Sequence, residues 1–102
     1  MKLANKVYKG VLYISLDGEL DEYSAEYTRT YMEQVMNGTG FTQIVIDLTN
    51  LSFMDSTGIG VLIGRYKKMK DKNIPVFVAN PSSQADRIFK MTGLYQVMPK
   101  VS

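Results

Sequence analysis

The sequence predicts an α/β protein with a mostly parallel sheet. Three observations lead to this fold class: apolar runs of strand length recur along the chain, stretches of helical periodicity separate them, and glycine or proline stands at most of the junctions. Strands that alternate with helices favour parallel pairing and right-handed crossovers. The predicted order is β-β-α-β-α-β-α-β. The 102 residues leave room for one domain with a real core but are too few for two.

A hairpin begins the chain in this prediction. Residues 11–16 have the apolar and aromatic side chains typical of a strand, and residues 3–8 form its partner across a tight turn at Gly10. The polar residues 17–19, Asp-Gly-Glu, are predicted to form a loop.

A helix follows that can begin at Asp21 or Ser24 and run to about Met36. Tyr27 and Tyr31 share one stripe of it, and we expect this stripe to belong to the core and its rim rather than to a ligand cage. The Asn-Gly-Thr-Gly sequence after Met36 ends the helix with residues that tolerate positive φ.

The remaining elements continue the alternation. Their predicted bounds are a strand over 44–48, a helix from Ser56 or Thr57 to about residue 73, a strand over 74–79, a helix from residues 81–83 to Met91, and a strand over 94–98. The strand over 44–48 is apolar at almost every position, as expected when both faces of a sheet are covered. The last helix is favoured by Pro81 at its start and by Gly93 at its end.

Composition excludes several classes of function. The chain has no cysteine for thiol catalysis and no histidine, which is the commonest general base and zinc ligand. Its formal charge of +2 is too balanced to predict direct nucleic-acid binding. No signal-like segment and no long apolar run is present, so we expect a soluble, cytoplasmic protein without a membrane span. We expect no enzymatic activity, no metal and no cofactor.

The most informative segment runs from residue 44 to residue 67. An apolar run passes through a polar elbow, Asp55-Ser56-Thr57-Gly58, into an apolar helical pattern. Free backbone N–H groups and the positive end of the helix dipole favour negative charge at such a point. Two compatible interpretations follow: Ser56 caps the helix, which is worth about 1 kcal/mol, or it is exposed and accepts a phosphate.

Two glycines, Gly60 and Gly64, lie one turn apart on the predicted second helix. Each costs about 1 kcal/mol relative to alanine in a helix interior. They allow either close packing of helix and sheet, or a low, smooth surface beside Ser56 on which a partner can lie. The apolar stripe that we expect to face the sheet comprises Ile59, Leu62, Ile63 and Tyr66.

Three other patterns give weaker signals. Basic residues toward the end of this helix favour compensation of the helix dipole over a patch for an acidic partner; they are Arg65, Lys67, Lys68, Lys70 and Lys72. A dinucleotide site is disfavoured because Gly58, Gly60 and Gly64 have the spacing GxGxxxG instead of GxGxxG, and because they lie inside the helix and not before it. Asp21 and Asp47 could be the paired carboxylates of a hydrolase, which the lack of histidine disfavours. We expect both to point toward the elbow, where Asp21 helps to hold or sense Ser56.

The chain resembles the bacterial anti-sigma factor antagonists, small single-domain proteins with the STAS fold. The resemblance covers most of residues 10–98 and lies in residues 18–21 (GELD), residues 51–67 (LSFMDSTGIGVLIGRYK) and residues 91–94 (MTGL). It implies a mixed, mostly parallel sheet with helices packed mainly on one side. Relatives usually continue into a C-terminal helix, so we expect residues 1–102 to form a single STAS domain that lacks most of this helix.

The resemblance also implies a mechanism. An unphosphorylated antagonist binds an anti-sigma factor that is also a serine kinase, and the sigma factor is released. The kinase modifies the serine after the motif aspartate, which is Ser56 here, with Thr57 as the second choice, and a PP2C-type phosphatase removes the phosphate. The partner-binding residues that we expect are Asp21, Asp55, Ser56, Thr57, Gly58, Gly60, Val61, Gly64 and Arg65.

Several alternatives stay open at this point. The free protein is expected to be a monomer, and the controlled response can be sporulation or stress. A first rival function is a STAS regulatory subunit of a transporter or lipid-trafficking complex, without a phosphorylation cycle. A second is a small nucleotide-binding or hydrolytic enzyme.

Overall fold

Six strands and three helices make up residues 1–101, the part of the chain that the computed structural model describes. In chain order they are β1 (Lys2–Tyr8), β2 (Val11–Leu20), α1 (Ala25–Met36), β3 (Gln43–Asp47), β4 (Leu51–Met54), α2 (Ser56–Asp71), β5 (Val76–Ala79), α3 (Ser83–Thr92) and β6 (Lys100–Val101). A 3₁₀ turn, Leu94–Gln96, lies between α3 and β6. The predicted α/β fold class is confirmed, with one strand, β4, added to the predicted order.

The strands form one mixed sheet in the order β1-β2-β3-β5-β6. Only β1 is antiparallel to its neighbour, and all other pairs are parallel. The two-residue turn between β1 and β2 uses positive φ at Lys9 and Gly10, as a hairpin turn of this kind requires. The predicted hairpin and its turn are therefore confirmed.

Strand β2 is longer than predicted because it pairs with two strands in succession. Its first half pairs with β3, and its last residues pair with β4. The register shifts at Gly18, whose φ of 126° suits glycine, and the strand continues to Leu20. The loop predicted for residues 17–19 is therefore wrong, since these residues belong to the strand.

The three helices and one face of the sheet share a single hydrophobic core. Along β2 the fully buried side chains alternate with half-buried ones, so one face of the strand lies against the helices and the other is more open. The buried members from strands and helices include Leu12, Ile14, Leu16, Ile44, Ile46, Val76, Val78, Met32, Leu62, Met69 and Phe89. This arrangement holds the ends of the parallel strands in fixed positions.

Helix α2 packs on the core with the predicted stripe, and the most deeply buried side of the helix also includes positions outside it. Of the four residues expected there, Leu62 is buried, whereas Ile59, Ile63 and Tyr66 are only half-buried. The buried positions are Gly58, Val61, Leu62 and Met69. The close approach of Gly58 to β2, described below, seats the helix on this side.

The end of the chain also departs from the prediction. Gly93, in the left-handed conformation, ends α3 as expected. Residues 94–98, however, form a 3₁₀ turn (Leu94–Gln96) and the bend that follows it rather than a strand, and the last strand is Lys100–Val101. Buried Leu94 and Met98 account for the apolar pattern, because each anchors the turn against the core. Within residues 1–101, no helix has the length and apolar character needed to cross a membrane.

Candidate functional site

The polar elbow connects β4 to α2, and Asp55 is its hinge residue. Asp55 has an extended backbone, and its Oδ1 accepts a hydrogen bond from the backbone N–H of Gly58 at 2.9 Å. It is therefore the N-cap of α2. The predicted capping role of Ser56 is wrong, because Ser56 is the first residue inside the helix.

Ser56 and Thr57 are both exposed on the first turn of α2. Since Asp55 supplies the cap, the hydroxyl of Ser56 is not needed to satisfy the helix start. Helix N-termini present unpaired N–H groups and a partial positive charge. The elbow thus offers an accessible hydroxyl where added negative charge is tolerated.

Gly58 fixes the position of this turn against the sheet. A β-carbon at Gly58 would lie 2.4 Å from the carbonyl oxygen of Leu20 and 2.8 Å from its Cγ. The same carbonyl oxygen accepts the N–H of Asp55 at 3.2 Å. Gly58 is therefore a buried residue whose contact with Leu20 supports the elbow. A residue with a side chain would not fit at this position.

Asp21 lies beside the elbow because the β2–β4 register brings the two strand ends together. Leu20 pairs with Met54, so Asp21 and Asp55 follow on neighbouring strands. The Oδ1 of Asp21 accepts the backbone N–H groups of Tyr23 and Ser24, at 3.0 and 3.1 Å. The carboxylate thus orders the turn that leads into α1, and no hydrogen bond joins it to Ser56 within residues 1–101.

The exposed side of α2 shares a shallow groove with α1. Thr57, Gly60 and the edge of Val61 form one wall, and the opposite wall comprises Glu22, Ala25, Glu26 and Arg29. A β-carbon at Gly60 would meet no atom within 4 Å, so this glycine is open to solvent. Val61 is only 7% exposed and lies mainly beneath the groove. This opposite wall, which α1 and the turn before it form, carries two carboxylates and one guanidinium.

Arg65 and Gly64 lie farther along α2 than the groove. The side chain of Arg65 is only 11% exposed, and its Nη1 lies 3.8 Å from Oε1 of Glu33. Glu33 in turn accepts a hydrogen bond from Arg29 at 2.7 Å. Arg65 therefore links α2 to α1, and Gly64 is half-buried.

Asp47 does not join the elbow, contrary to expectation. Its Oδ1 accepts the backbone N–H of Thr49 at 3.0 Å and the Thr49 hydroxyl at 2.6 Å. It lines a depression on the open face of the sheet together with Tyr13, Val45 and Asn80. The carboxylate pair that a hydrolase would need is therefore not assembled from Asp21 and Asp47. Within residues 1–101, no group of three metal-ligating side chains is found.

Gln84 is a neighbour of the elbow that sequence reasoning missed. Its Nε2 donates to the carbonyl oxygen of Met54 at 3.0 Å, which ties the first turn of α3 to the end of β4. Its Oε1 is buried without a partner in the described part of the chain. No pattern in the sequence indicates this contact, because it joins residues 30 positions apart.

The clearly shifted pKa values belong to a cluster around Asp86, in the first turn of α3. The hydroxyl of Tyr95 donates to Asp86 at 2.5 Å, while Lys90 and Lys100 lie 3.0 and 3.6 Å from this carboxylate. The hydrogen bond from Tyr95, aided by Lys90, lowers the pKa of Asp86. Burial, aided by the hydrogen bond to Asp86, raises the pKa of Tyr95 to about 12. This cluster fastens β6 and the 3₁₀ turn to α3.

Comparison with known proteins identifies the family. The profile of the STAS domain matches residues 2–102. An anti-sigma F factor antagonist from Paenibacillus polymyxa is 37% identical over 92 residues, which are 90% of this chain and 79% of the relative. The chain belongs to the STAS domain family.

Two solved structures of SpoIIAA extend this likeness to three dimensions. The anti-sigma factor antagonist SpoIIAA in its unphosphorylated form superimposes with a TM-score of 0.81 at 27% identity, over 99% of this chain and 89% of that chain. The Bacillus cell fate determinant SpoIIAA in its phosphorylated form gives a TM-score of 0.75 at 27% identity, over 99% and 92%. The mixed sheet and its helices are thus those of the STAS fold.

Proposed function

We propose that this protein is an anti-sigma factor antagonist whose binding is switched by phosphorylation of Ser56. The unphosphorylated protein binds an anti-sigma factor that is also a serine kinase, and the sigma factor is set free. The kinase transfers the γ-phosphoryl group of ATP to the Ser56 oxygen, which loses its proton, and ADP remains. A PP2C-type phosphatase hydrolyses the phosphoserine and returns inorganic phosphate and the free hydroxyl.

The observation that carries this proposal is the exposed Ser56 hydroxyl beside a separate cap. Asp55 already accepts the Gly58 N–H, so Ser56 can react without loss of the cap bond. Relatives support the role, since an anti-sigma F factor antagonist is 37% identical and SpoIIAA has been solved with and without phosphate. Thr57 is exposed as well and is the second candidate acceptor.

Charge explains how the phosphate would prevent binding while the fold is kept. A phosphoserine adds about −1.5 to −2 charges. The start of α2 favours this charge by roughly 0.3–1 kcal/mol. A partner that covers the elbow must instead remove the phosphate from water next to Asp55. Desolvation of an unpaired charge costs several kcal/mol, and about 4 kcal/mol already weakens a complex a thousandfold.

The binding surface is proposed to consist of the elbow and the exposed side of α2. Asp21, Asp55, Ser56, Thr57 and Gly60 lie at the surface and contact the partner directly. Gly60 lets a partner backbone lie flat on the helix. Gly58 and Val61, which are buried or nearly so, contribute through the shape they give this surface. Gly64 and Arg65 lie at its border.

The test compares Ser56→Ala and Ser56→Asp for binding to an anti-sigma factor kinase from the same organism. We expect Ser56→Ala to bind like the wild-type protein and Ser56→Asp to bind at least about a hundredfold more weakly, or roughly 2.7 kcal/mol. Ser83→Asp is a matched control, because Ser83 is also exposed at the first residue of a helix whose cap is a different residue, Ser82.

Intact mass after incubation with that kinase and ATP provides the second measurement. We expect one added phosphate on the wild-type protein, mapped to Ser56, and none on Ser56→Ala. Equal binding by Ser56→Asp and wild type would contradict the charge mechanism. A protein that binds no anti-sigma kinase and gains no phosphate would contradict the antagonist role itself.

A further inference from the structure

The outer edge of β1 carries unpaired backbone groups. Tyr8 and Val11 close the two-residue turn and therefore exchange hydrogen bonds across the hairpin. Because such pairs alternate, the residues bonded to β2 are Lys2, Ala4, Lys6 and Tyr8. The N–H and C=O groups of Leu3, Asn5 and Val7 then point away from the sheet. Within residues 1–101 no strand pairs with this edge.

Helix α1 forms an aromatic wall along the same edge. The hydroxyl of Tyr31 accepts a hydrogen bond from Nδ2 of Asn5 at 2.6 Å, so this side of α1 lies against β1. Tyr27 precedes Tyr31 by four residues and therefore lies on the same side of α1. Tyr23, in the turn before the helix, lies next to Tyr27. Tyr27 and Tyr23 are 61% and 89% exposed, and both line a depression next to the start of β1 with Met1, Glu19 and Asp21. This aromatic surface has no partner in the described part of the chain.

The other face of the edge carries more basic than acidic residues, with Asp17 opposite Lys2 in the β1–β2 register. Lys2 and Lys6 alternate with Leu3 and Asn5, so their side chains lie on the face opposite α1. Lys6 confirms this orientation, since its Nζ lies 5.8 Å from the ring centroid of Tyr13 on the open face of the sheet. Lys9 in the turn adds a third charge. None of the three lysines forms a salt bridge within residues 1–101.

We propose that the β1 edge binds an extended acidic segment of a partner protein as an additional strand. Backbone bonds to Leu3, Asn5 and Val7 hold the segment, as in other cases of strand addition. Its side chains alternate, so that carboxylates face Lys2 and Lys6 while apolar groups face Val7 and Tyr27. This interface lies along β1 and does not require modification of Ser56.

A second copy of the chain fits this edge poorly. Pairing of two β1 strands would place lysines of one copy opposite or near lysines of the other. Like charges that face each other across strands are destabilising, and edge lysines commonly prevent such pairing. The charge of the edge therefore selects a partner of opposite sign.

The experiment uses an acetylated and amidated peptide of alternating valine and glutamate as the probe, added to the isotope-labelled full chain. We expect the backbone amide signals of Leu3, Asn5 and Val7 to shift and to exchange more slowly with solvent. Those of Ala4 and Lys6 should change less, because they are already bonded to β2. A peptide of alternating valine and lysine serves as the control and should not bind.

Two variants test the contacts separately. Val7→Pro removes an outward donor without breaking a bond to β2, and Lys6→Glu reverses a charge without touching the backbone. Each should weaken peptide binding at least about tenfold. As a control for folding, the amide signals of α2 in each variant should have the same chemical shifts as in the wild-type protein.

Three outcomes would overturn the proposal. One is the absence of shifts at Leu3, Asn5 and Val7 up to about 1 mM peptide. Another is equal binding of the lysine peptide, or of Lys6→Glu. The third is a concentration-dependent dimer in sedimentation that Lys6→Glu strengthens, because this would assign the edge to a second copy.

Discussion

Gly58 lies so close to Leu20 that no side chain fits between them. A β-carbon on Gly58 would sit 2.4 Å from the Leu20 carbonyl oxygen, far inside normal contact distance. This contact joins the first turn of α2 to the end of β2, where Asp21 follows. It therefore sets how Ser56 and Asp21 lie relative to each other.

We expect Gly58→Ala to destabilise the protein by about 2–3 kcal/mol, because the backbone of β2 or α2 must shift to admit the methyl group. Gly60→Ala is the matched control two residues away, where an added β-carbon meets nothing within 4 Å. It should stabilise the protein by roughly 0.5–1 kcal/mol through helix propensity. Urea unfolding of both variants checks this pair. Equal stability of the two would show that the tight contact is absent in solution.

The cap predicts a contrast between the neighbours Asp55 and Ser56. Asp55→Ala should lower the free energy of unfolding by about 1 kcal/mol, because the Gly58 N–H loses its acceptor. Ser56→Ala should change it by less than about 0.5 kcal/mol, since this hydroxyl does not cap the helix. Asp55→Asn, which keeps a capping oxygen, should retain most of the stability. A larger loss of stability in Ser56→Ala than in Asp55→Ala would show that Asp55 is not the N-cap of α2.

The Asp86–Tyr95 hydrogen bond predicts how stability depends on pH. The folded-state pKa of Asp86 is lowered, so its contribution is complete above its ordinary pKa of 3.8 and is lost as the pH falls below that value. The pKa of Tyr95 is raised from 10.0 to about 12, so its contribution is complete below pH 10.0 and is lost as the pH rises toward 12.

Unfolding of Asp86→Asn and Tyr95→Phe across the pH range separates these two effects. Asp86→Asn should reduce the loss of stability in acid, and Tyr95→Phe should reduce the loss in alkali. Both variants should be less stable than the wild-type protein at neutral pH, because β6 and the 3₁₀ turn lose a tie to α3. Parallel pH profiles for all three proteins would contradict this assignment.

The main elements could be predicted because their signals are local. Alternating or continuous apolar residues marked β2, β3 and β5, and Gly93 marked the end of α3. The position of the elbow followed from an apolar run, a polar junction and a helical pattern. Whether the Ser56 side chain is exposed could not be predicted from the sequence, because its exposure depends on which residues pack around α2.

The errors arose where long-range contacts decide the structure. Strand β4 has only four residues and no alternation, and it exists because β2 extends past its bulge to pair with it. The cap fell to Asp55 instead of Ser56 because both residue types can cap a helix, and the chain geometry chooses between them. The predicted stripe of α2 does pack on the core, but the burial of Gly58 could not be predicted because it depends on the position of Leu20.

Asp55 caps α2 while the hydroxyl of Ser56 stays exposed, and this division of roles has a consequence for the rate and the energy cost of the proposed switch. If Ser56 is phosphorylated as proposed, the acceptor hydroxyl is already exposed on the first turn of α2, and its modification leaves the hydrogen bond between Asp55 and Gly58 in place. Repeated rounds of phosphorylation and dephosphorylation would then consume ATP without a lasting change in the fold. The rate of response would then be set by the proposed kinase and phosphatase and not by slow rearrangement of the chain.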